Sequence, residues 1–510
     1  MTKTLVLVAA ILGSAMTFID GTAVNVALPV MQRELNANAA QMQWVVEGYA
    51  LFLSALILLG GSLGDLYGRK RLFVAGVVVF ALASAACAAA ADVRVLIAAR
   101  CVQGVGAACA MPESLALISA SFAGAERGRA IGTWSGFAAI TGAIGPVLGG
   151  WLAQHASWRW VFVINLPIAL AVCAIAWRGV PESRDEAMLR RLDVPGAVLA
   201  TLGLGAFTYG LIAAQGARPG AGALGAIVGG LIVLGLFVLA ERRAPAPMMP
   251  LELFRSRVFF AANAYTLFLY AALGGSLYFL PYLLVDVQRY TPTAAGAAGL
   301  PFVLLMFVLS RWSGGLVARI GARIPLVGGA LLAGAGFATY AIPGIGGSYW
   351  TTYFWPAVLL GLGGALFVAP LTTTVFEAVD TEKSGVASGV NNAVARTAGL
   401  IAVAALGIVL AAVFNGGFDA RIARHHVSAQ TARIARDDRA RLYAGTVPSD
   451  VPATDRPAVA AAVREGYLAG FRAVMLVSAA VCVVAAGVAL VAIPGRTRDA
   501  DQSRRKLRPS

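Results

Sequence analysis

Charge is what this chain has least of. Only 13% of its 510 residues are Asp, Glu, Lys or Arg, whereas 59% are hydrophobic, and the mean hydropathy is positive. A soluble multidomain protein carries charge on about a quarter of its residues, so this composition excludes a water-soluble fold and makes the bilayer the solvent. Histidine is scarcer still. His155, His425 and His426 fall in no H-E-x-x-H pattern or other catalytic constellation, and the adjacent pair reads as a solvated loop before it reads as a metal site. No phosphate-cradling P-loop is present, which disfavours ATP-driven pumping and, with it, enzymatic chemistry. The five cysteines, Cys87, Cys101, Cys109, Cys173 and Cys482, all lie in apolar segments without metal-ligand spacing, so they read as small core residues with no disulfide. Acids are outnumbered, 25 against 40 Lys and Arg. In a soluble protein that excess would suggest nucleic acid, but here the cations sit between apolar runs and report topology, so no nucleic-acid partner is expected.

What is there, above all, is apolar runs. A span needs about 20 mainly apolar residues, and fourteen such stretches can be placed. Six run at 5–29, 44–62, 72–91, 93–117, 129–153 and 159–177, two more at 194–214 and 222–241, and six at 258–285, 294–313, 325–343, 351–374, 385–414 and 467–493. The first begins like a signal peptide after Lys3, but its apolar run continues too far for a cleaved segment and is read as an uncleaved span. With the N-terminus inside, 24 Lys and Arg fall on cytoplasmic segments against 13 outside, eight of these in the long segment 415–465. Both termini therefore belong in the cytoplasm. The expected organisation is a six-helix half at 1–192, two inserted helices and a linker at 193–257, a second half at 258–494 with the external loop 415–465, and a basic tail at 495–510 lying on the anionic inner leaflet. Residues Asp419 to Tyr443 read as a solvated amphipathic helix, with a docking surface for a periplasmic partner as the alternative.

Each ionisable group inside a span costs about 2.5 to 3.5 kcal/mol on insertion scales and needs a reason. Asp20 lies roughly 22 Å from the inner end of the first span and Arg100 roughly 10 Å from the outer end of the fourth. In a layer of about 30 Å these depths nearly coincide, so the two either pair or share a water-filled cavity. Desolvation and a nearby cation pull a carboxylate's proton affinity in opposite directions, which suits an acid that must bind and release a proton; a permanent ion pair holding helices together is the structural alternative. Glu47 reads either as functional or as an interfacial residue wetted from outside, and Glu113, after Pro112, as interfacial or as part of a proton exit. In the second half Asn391, Asn392 and Arg396 form a polar stripe, either hydrogen-bonded packing or cavity lining.

The stretch Gly61 to Leu72 packs an acid, three cations and two glycines into a turn between spans, and reads as a cytoplasmic hinge. Its pattern G-x-L-x-D-x-x-G-R-K-R resembles the loop signature of the major facilitator superfamily. The segment Gly314 to Arg323 repeats it at an offset of 253, with Leu316, Gly321 and the cation Arg323 answering Leu63, Gly68 and the cations after it, and Ala318 in place of Asp65. Two halves with a duplicated hinge suit a rocking transporter. Gly132, Gly145, Pro146, Gly149 and Gly150, with Thr141 in place of one glycine, resemble the superfamily's antiporter motif, which is associated with exporters. FIDGTAVNVALP, containing Asp20 and Asn25, together with WVVEGYAL, LIAARCVQGVGAA, WRWVFVINLPI and SGVNNAVARTAG, is similar to the fourteen-helix drug:proton antiporter family of the EmrB/QacA type. Glu47 and Glu113 depart from that family's pattern.

The resemblance implies an all-α integral membrane protein with the major facilitator fold: fourteen transmembrane helices as two six-helix halves plus two inserted helices. It implies that Arg100 serves proton translocation, that Asp20 lies by the substrate path, and that Asp65 latches the outward-open state by bonding Arg69 or Arg127 opposite Ser384 and Gly385. The expected activity is proton-coupled export of amphipathic organic compounds across a bacterial inner membrane, with the proton gradient as energy source and no cofactor. A periplasmic adaptor and outer-membrane channel are the candidate protein partners. A dedicated exporter of one metabolite and a non-transporting receptor or regulator are the alternatives.

Overall fold

The computed structural model describes residues 2–184, 192–216, 220–380, 383–437 and 450–495, without the side chains of residues 125, 139, 310, 311, 318 and 384. Every regular element among them is helical. The first six long helices are α1 (Thr2–Glu34), α2 (Ala39–Tyr67), α3 (Arg69–Ala89), α4 (Val93–Ser121), α5 (Gly124–His155) and α6 (Asn165–Gly179). Next come α7 (Val194–Ala213) and α8 (Ala221–Arg243). The last six are α9 (Arg257–Tyr282), α10 (Leu300–Ile320), α11 (Arg323–Tyr340), α12 (Phe354–Glu377), α13 (Ser384–Gly416) and α14 (Arg456–Ala492). Thirteen helical stretches among the described residues are long and apolar enough to cross a membrane. The eleventh expected span is the exception: α11 is 18 residues long, and Arg323 and four glycines dilute its hydropathy. The basic tail beyond residue 495, like Arg190, Arg191 and Arg218, lies outside the described residues.

Helices cross closely in this fold because glycine lets them. A Cβ on Gly60 would overlap the carbonyl oxygen of Ala108, and one on Gly76 would sit 2.8 Å from that of Gly106, so α2 and α3 both press their backbones onto α4. Lipid tails are as apolar as Leu, so helix association in the bilayer depends on this kind of close packing rather than on hydrophobic burial. The second half uses the same device, with Gly329 and Gly363 facing each other between α11 and α12. The duplicated motif also has a structural counterpart. Gly68, between α2 and α3, and Gly321, between α10 and α11, take φ values of +110° and +79°, a region that penalises any side chain. The hinge is tighter than the sequence suggests: α2 runs unbroken through Gly61 to Tyr67, and Gly68 alone separates it from α3.

The inserted pair lies across the seam between the halves. α7 packs on α2 and α13, and α8 packs on α7, where Gly210 and Gly230 admit Ile227 and Phe207. Just beyond α7, Gln215 donates to Gln43 Oε1 at 2.9 Å and to the Ala404 carbonyl at 3.1 Å, one acceptor in each half. The face of the bundle that bears Gly68 is the loop face, and the opposite one, bearing the segment after Gly416, is the cap face.

The segment after Gly416 corrects the expectation of a solvated helix. Two short helices, Phe418–Arg424 and Ala429–Asp437, fold back onto the first turns of α14, which starts eleven residues before the expected span. Phe414, Phe418, Ile422, Val459 and Val463 are buried between them in a small core of their own. Residues 438–449 lie outside the described residues. Asp455 ties the cap together, accepting from Thr431 Oγ1 at 2.6 Å, Ser428 Oγ at 2.8 Å and the Ser428 amide at 3.1 Å. These three donors hold its carboxyl below the usual carboxylate range.

A depressed folded-state pKa contributes stability that is present in full above the unfolded value, about 4, and is lost as pH falls through the lower folded value. Pepsin cleavage of the cap should therefore accelerate as pH falls below about 4. Asp455→Asn should leave cleavage fast and independent of pH, whereas an unchanged pH profile in that variant would contradict the role given to Asp455.

Candidate functional site

Six elements of the first half converge on one carboxylate. Asp20, in the middle of α1, is 0% exposed, and Arg100 of α4 is 1% exposed. Arg100 Nη1 donates to Asp20 Oδ2 at 2.5 Å and to Gln103 Oε1 at 2.6 Å, while its Nε donates to the Val45 carbonyl of α2 at 3.0 Å. The other oxygen, Asp20 Oδ1, accepts from Gln103 Nε2 at 2.9 Å and from Asn165 Nδ2 of α6 at 3.2 Å. Ser84 of α3 receives the same two amides at 2.7 and 3.1 Å. Tyr49 lays its ring 4.3 Å from the guanidinium carbon of Arg100, and Phe162, in the turn before α6, approaches it at 5.8 Å. The acid thus faces a cation, with its remaining acceptor sites filled by amides. A buried ion pair is viable only when its spare lone pairs and protons are satisfied in this way.

The structure brings Asp20 and Arg100 together; it does not bring the other sequence-derived candidates to them. Asn25 donates to the Gly21 carbonyl of its own helix at 3.2 Å. Glu47 is 1% exposed with both oxygens unpartnered, so it is not the wetted interfacial group expected; its neighbours at helical spacing, Gln43 and Leu51, face α7 and α13, which places it in the seam. Glu113 is also 1% exposed and unpartnered rather than interfacial. Its carboxyl lies against Gly64 of α2, where an added Cβ would fall on the carboxyl carbon. Asn391 donates to Thr266 Oγ1 at 2.7 Å and Asn263 Oδ1 at 3.2 Å on α9, whereas Asn392 is exposed and bonds only its own helix. Arg396 reaches from α13 into the first half, its Nη2 at 2.8 Å from Met111 Sδ, and it lies within electrostatic reach of Tyr49. Tyr49 therefore stands between the buried pair and the cation of the opposite half.

At the loop face Asp65 pairs with Arg69 at 2.8 and 3.0 Å. Arg127 is exposed and does not join them, and the side chain of Ser384 lies outside the described residues. The partner that sequence reasoning missed is Glu182, just beyond α6. It caps the start of α3 by accepting from the amides of Lys70 at 3.0 Å and Arg71 at 3.2 Å, and its carboxyl fills the space beside Gly68. A helix N-terminus attracts an anion in this way through its free amides and its dipole.

Of the motif residues on α5, Gly145 and Gly149 press on α1 of the same half, and Gly150 and Pro146 meet the second half. A Cβ on Gly145 would overlap Thr22, and one on Gly149 would sit 2.5 Å from the Ala23 carbonyl, so this part of α5 lies directly on α1. Gly150 meets the carbonyl of Pro292 in the second half, Gly296 meets that of Pro146, and Gln154 Oε1 accepts from the Thr293 amide at 3.2 Å. Gly132 and Gly128 precede Gly150 and Pro146 by 18 residues, five turns, and so stand on the same face of α5, roughly 27 Å nearer the loop face. Nothing lies within 4 Å of a Cβ built on either. Along α5 the halves therefore meet at the cap face, while nothing packs on Gly128 and Gly132 toward the loop face.

Comparison with known proteins agrees with this architecture. The Major Facilitator Superfamily pattern matches residues 10–404. The chain is 35% identical over 505 residues to Multidrug resistance protein Stp of Mycobacterium tuberculosis (strain CDC 1551 / Oshkosh), covering 95% of this chain and 90% of that one. It is 32% identical over 491 residues to the Tetracenomycin C resistance and export protein of Streptomyces glaucescens, with the same coverage. Among solved structures, a bacterial homolog of the human lysosomal transporter Spinster, in an inward-facing and occupied conformation, superimposes with a TM-score of 0.66 at 16% identity, over 96% of this chain and 97% of that one. This chain belongs to the major facilitator superfamily and is a multi-pass membrane transporter related to drug and antibiotic export proteins.

Proposed function

We propose that the protein exports amphipathic organic compounds in exchange for protons, through fourteen membrane-crossing helices with both termini in the cytoplasm. The observation that carries proton coupling is the Asp20–Arg100 pair, a buried carboxylate against a buried cation, with Tyr49 between it and Arg396 of the opposite half. The cation count puts the loop face inside, so this conformation opens toward the cytoplasm along α5. Substrate enters there, with Arg396 and Tyr49 facing it across the rift. A proton arriving at Asp20 neutralises one member of the pair, and Arg100 is then left as a charge that the dry site no longer compensates. Removing one partner of a buried pair costs about 3 to 5 kcal/mol, enough to drive a conformational exchange whose two states differ by a few kcal/mol. No bound cofactor takes part; the proton gradient supplies the energy.

Asp65 and Arg69 act as the latch. In the opposite conformation the Asp65 carboxylate faces the start of α13 at Ser384 and Gly385, where a helix N-terminus stabilises an anion by about 0.3 to 1 kcal/mol. That is strong enough to bias the cycle and weak enough to break on each turn. The folded cap beyond α13 is the surface on which a periplasmic adaptor and outer-membrane channel would dock. A dedicated exporter of one compound is the second reading, favoured by the similarity to a protein named for a single antibiotic, tetracenomycin C.

Asp20→Asn should abolish proton-driven efflux in inverted vesicles while the protein still reaches the membrane. The double variant Asp20→Asn, Arg100→Gln, which leaves no uncompensated charge, should recover stability but not transport. Efflux that survives Asp20→Asn and still collapses with the pH gradient would sink the assignment. Asp65→Asn should slow turnover several-fold with substrate binding unchanged; lost binding with normal turnover would contradict the latch.

A further inference from the structure

A cavity lies on the cap side of the buried pair, at the cap-face junction of the two halves. Its walls come from the end of α1 and start of α2 on one side, and from the end of α9 and the projecting turns of α14 on the other. Arg33 in its wall lies 13 residues beyond Asp20 on α1, roughly 20 Å toward the cap face. The cavity measures about 120 Å³. A void of about 150 Å³ holds one benzene ring, whereas drug-sized ligands occupy about 300 to 1,000 Å³, so this space is nearer in size to one ring than to a whole transported drug.

Its chemistry is aromatic and basic. Tyr278, Tyr282 and Tyr467 supply ring surfaces, and Arg33, Arg289 and Arg464 supply three cations against one acid, Asp286. Arg464 Nε is buried with no hydrogen-bond partner. Asp286 lies within electrostatic reach of Arg33 and Arg289, but among the described residues neither closes to ion-pair distance on it. The wall is also locally irregular. Leu283–Val287 winds as a π-helical turn, and Arg289 holds a φ of +62°, unusual for a residue with a side chain. Departures of both kinds persist where a site requires a particular placement of groups. Excess positive charge, an unpartnered guanidinium nitrogen and ring-lined walls together specify a ligand with one flat ring and one anionic group.

We propose that this cap-face cavity binds aromatic acids, a carboxylate carried on a single ring, with Arg464 and Arg289 holding the anion and the tyrosines holding the ring. Binding there requires the halves closed at the cap face, whatever the direction and energy source of transport. Charge-assisted hydrogen bonds of this kind decide affinity, and Asp286 competes with the ligand for Arg289.

The test uses the full chain in lipid nanodiscs, with no gradient, titrated with benzoate and with its isosteric cation benzamidine, and read by saturation-transfer NMR. Benzoate should bind and benzamidine should not. The double variant Arg464→Met, Arg289→Met should weaken benzoate about tenfold, and Asp286→Asn should strengthen it. Thermal unfolding like that of the wild type shows that the double variant is folded. Benzamidine binding as well as benzoate, or benzoate affinity unchanged in a folded double variant, would each overturn the proposal.

Discussion

The structure depends on one constraint: a carboxylate placed in the middle of a membrane helix must be neutralised where it stands. Asp20 meets that constraint with Arg100, and the remaining geometry of the first half serves the pair. Arg100 is held by the carbonyl of Val45 and the ring of Tyr49, so α2 is fixed to α4. Gln103 and Asn165 fill the second carboxylate oxygen and bring in α6, and Ser84 collects their spare protons from α3. Such an arrangement is a weak source of net stability, because desolvation offsets most of the attraction. Its value lies in what happens when one charge disappears, since the whole half is then built around an uncompensated cation.

Glycine carries that change to the rest of the molecule. The α5 contacts leave no space for a methyl group, on α1 at Gly145 and Gly149 and on the second half at Gly150, so α5 is the element fitted to both. At the loop face, two carboxyl groups occupy the space that two glycines leave free: Glu113 over Gly64 and Glu182 beside Gly68. The signature loop is therefore a fitted junction rather than a flexible hinge. Its one residue of unusual backbone, Gly68, is where α2 and α3 turn against each other. Packed interfaces of this kind have discrete arrangements and do not deform continuously, which is what a rocking transporter requires.

Much of this is legible in the sequence. Apolar runs mark the helices, and two depth estimates are enough to bring Asp20 and Arg100 to one level, because helix rise and bilayer thickness are fixed quantities. Gln103 is within reach of the same reasoning: it lies three residues beyond Arg100 and so shares its face. Asn165 stands inside the stretch WRWVFVINLPI without giving a signal, since a neutral amide carries little insertion penalty. The interfacial readings of Glu47 and Glu113 fail for the opposite reason. Depth along a helix says nothing of azimuth, and azimuth puts both into helix seams. That Gly64 admits Glu113, 49 residues away, is a tertiary fact with no local signal. The cap escapes the sequence because its short helices bury their apolar faces on an extension of α14, which the bilayer-length rule assigns to solvent.

Neutralising Asp20 should move the two halves, and the movement can be measured directly. Spin labels at Gly132 and Gly315 report the open end between α5 and α10, and labels at His155 and Thr291 report the closed end. Introducing Asp20→Asn, which mimics the proton-loaded acid, should shorten the first distance and lengthen the second as the population shifts. Distance distributions that are the same with and without the charge would show that the pair only holds helices together, and would contradict the account.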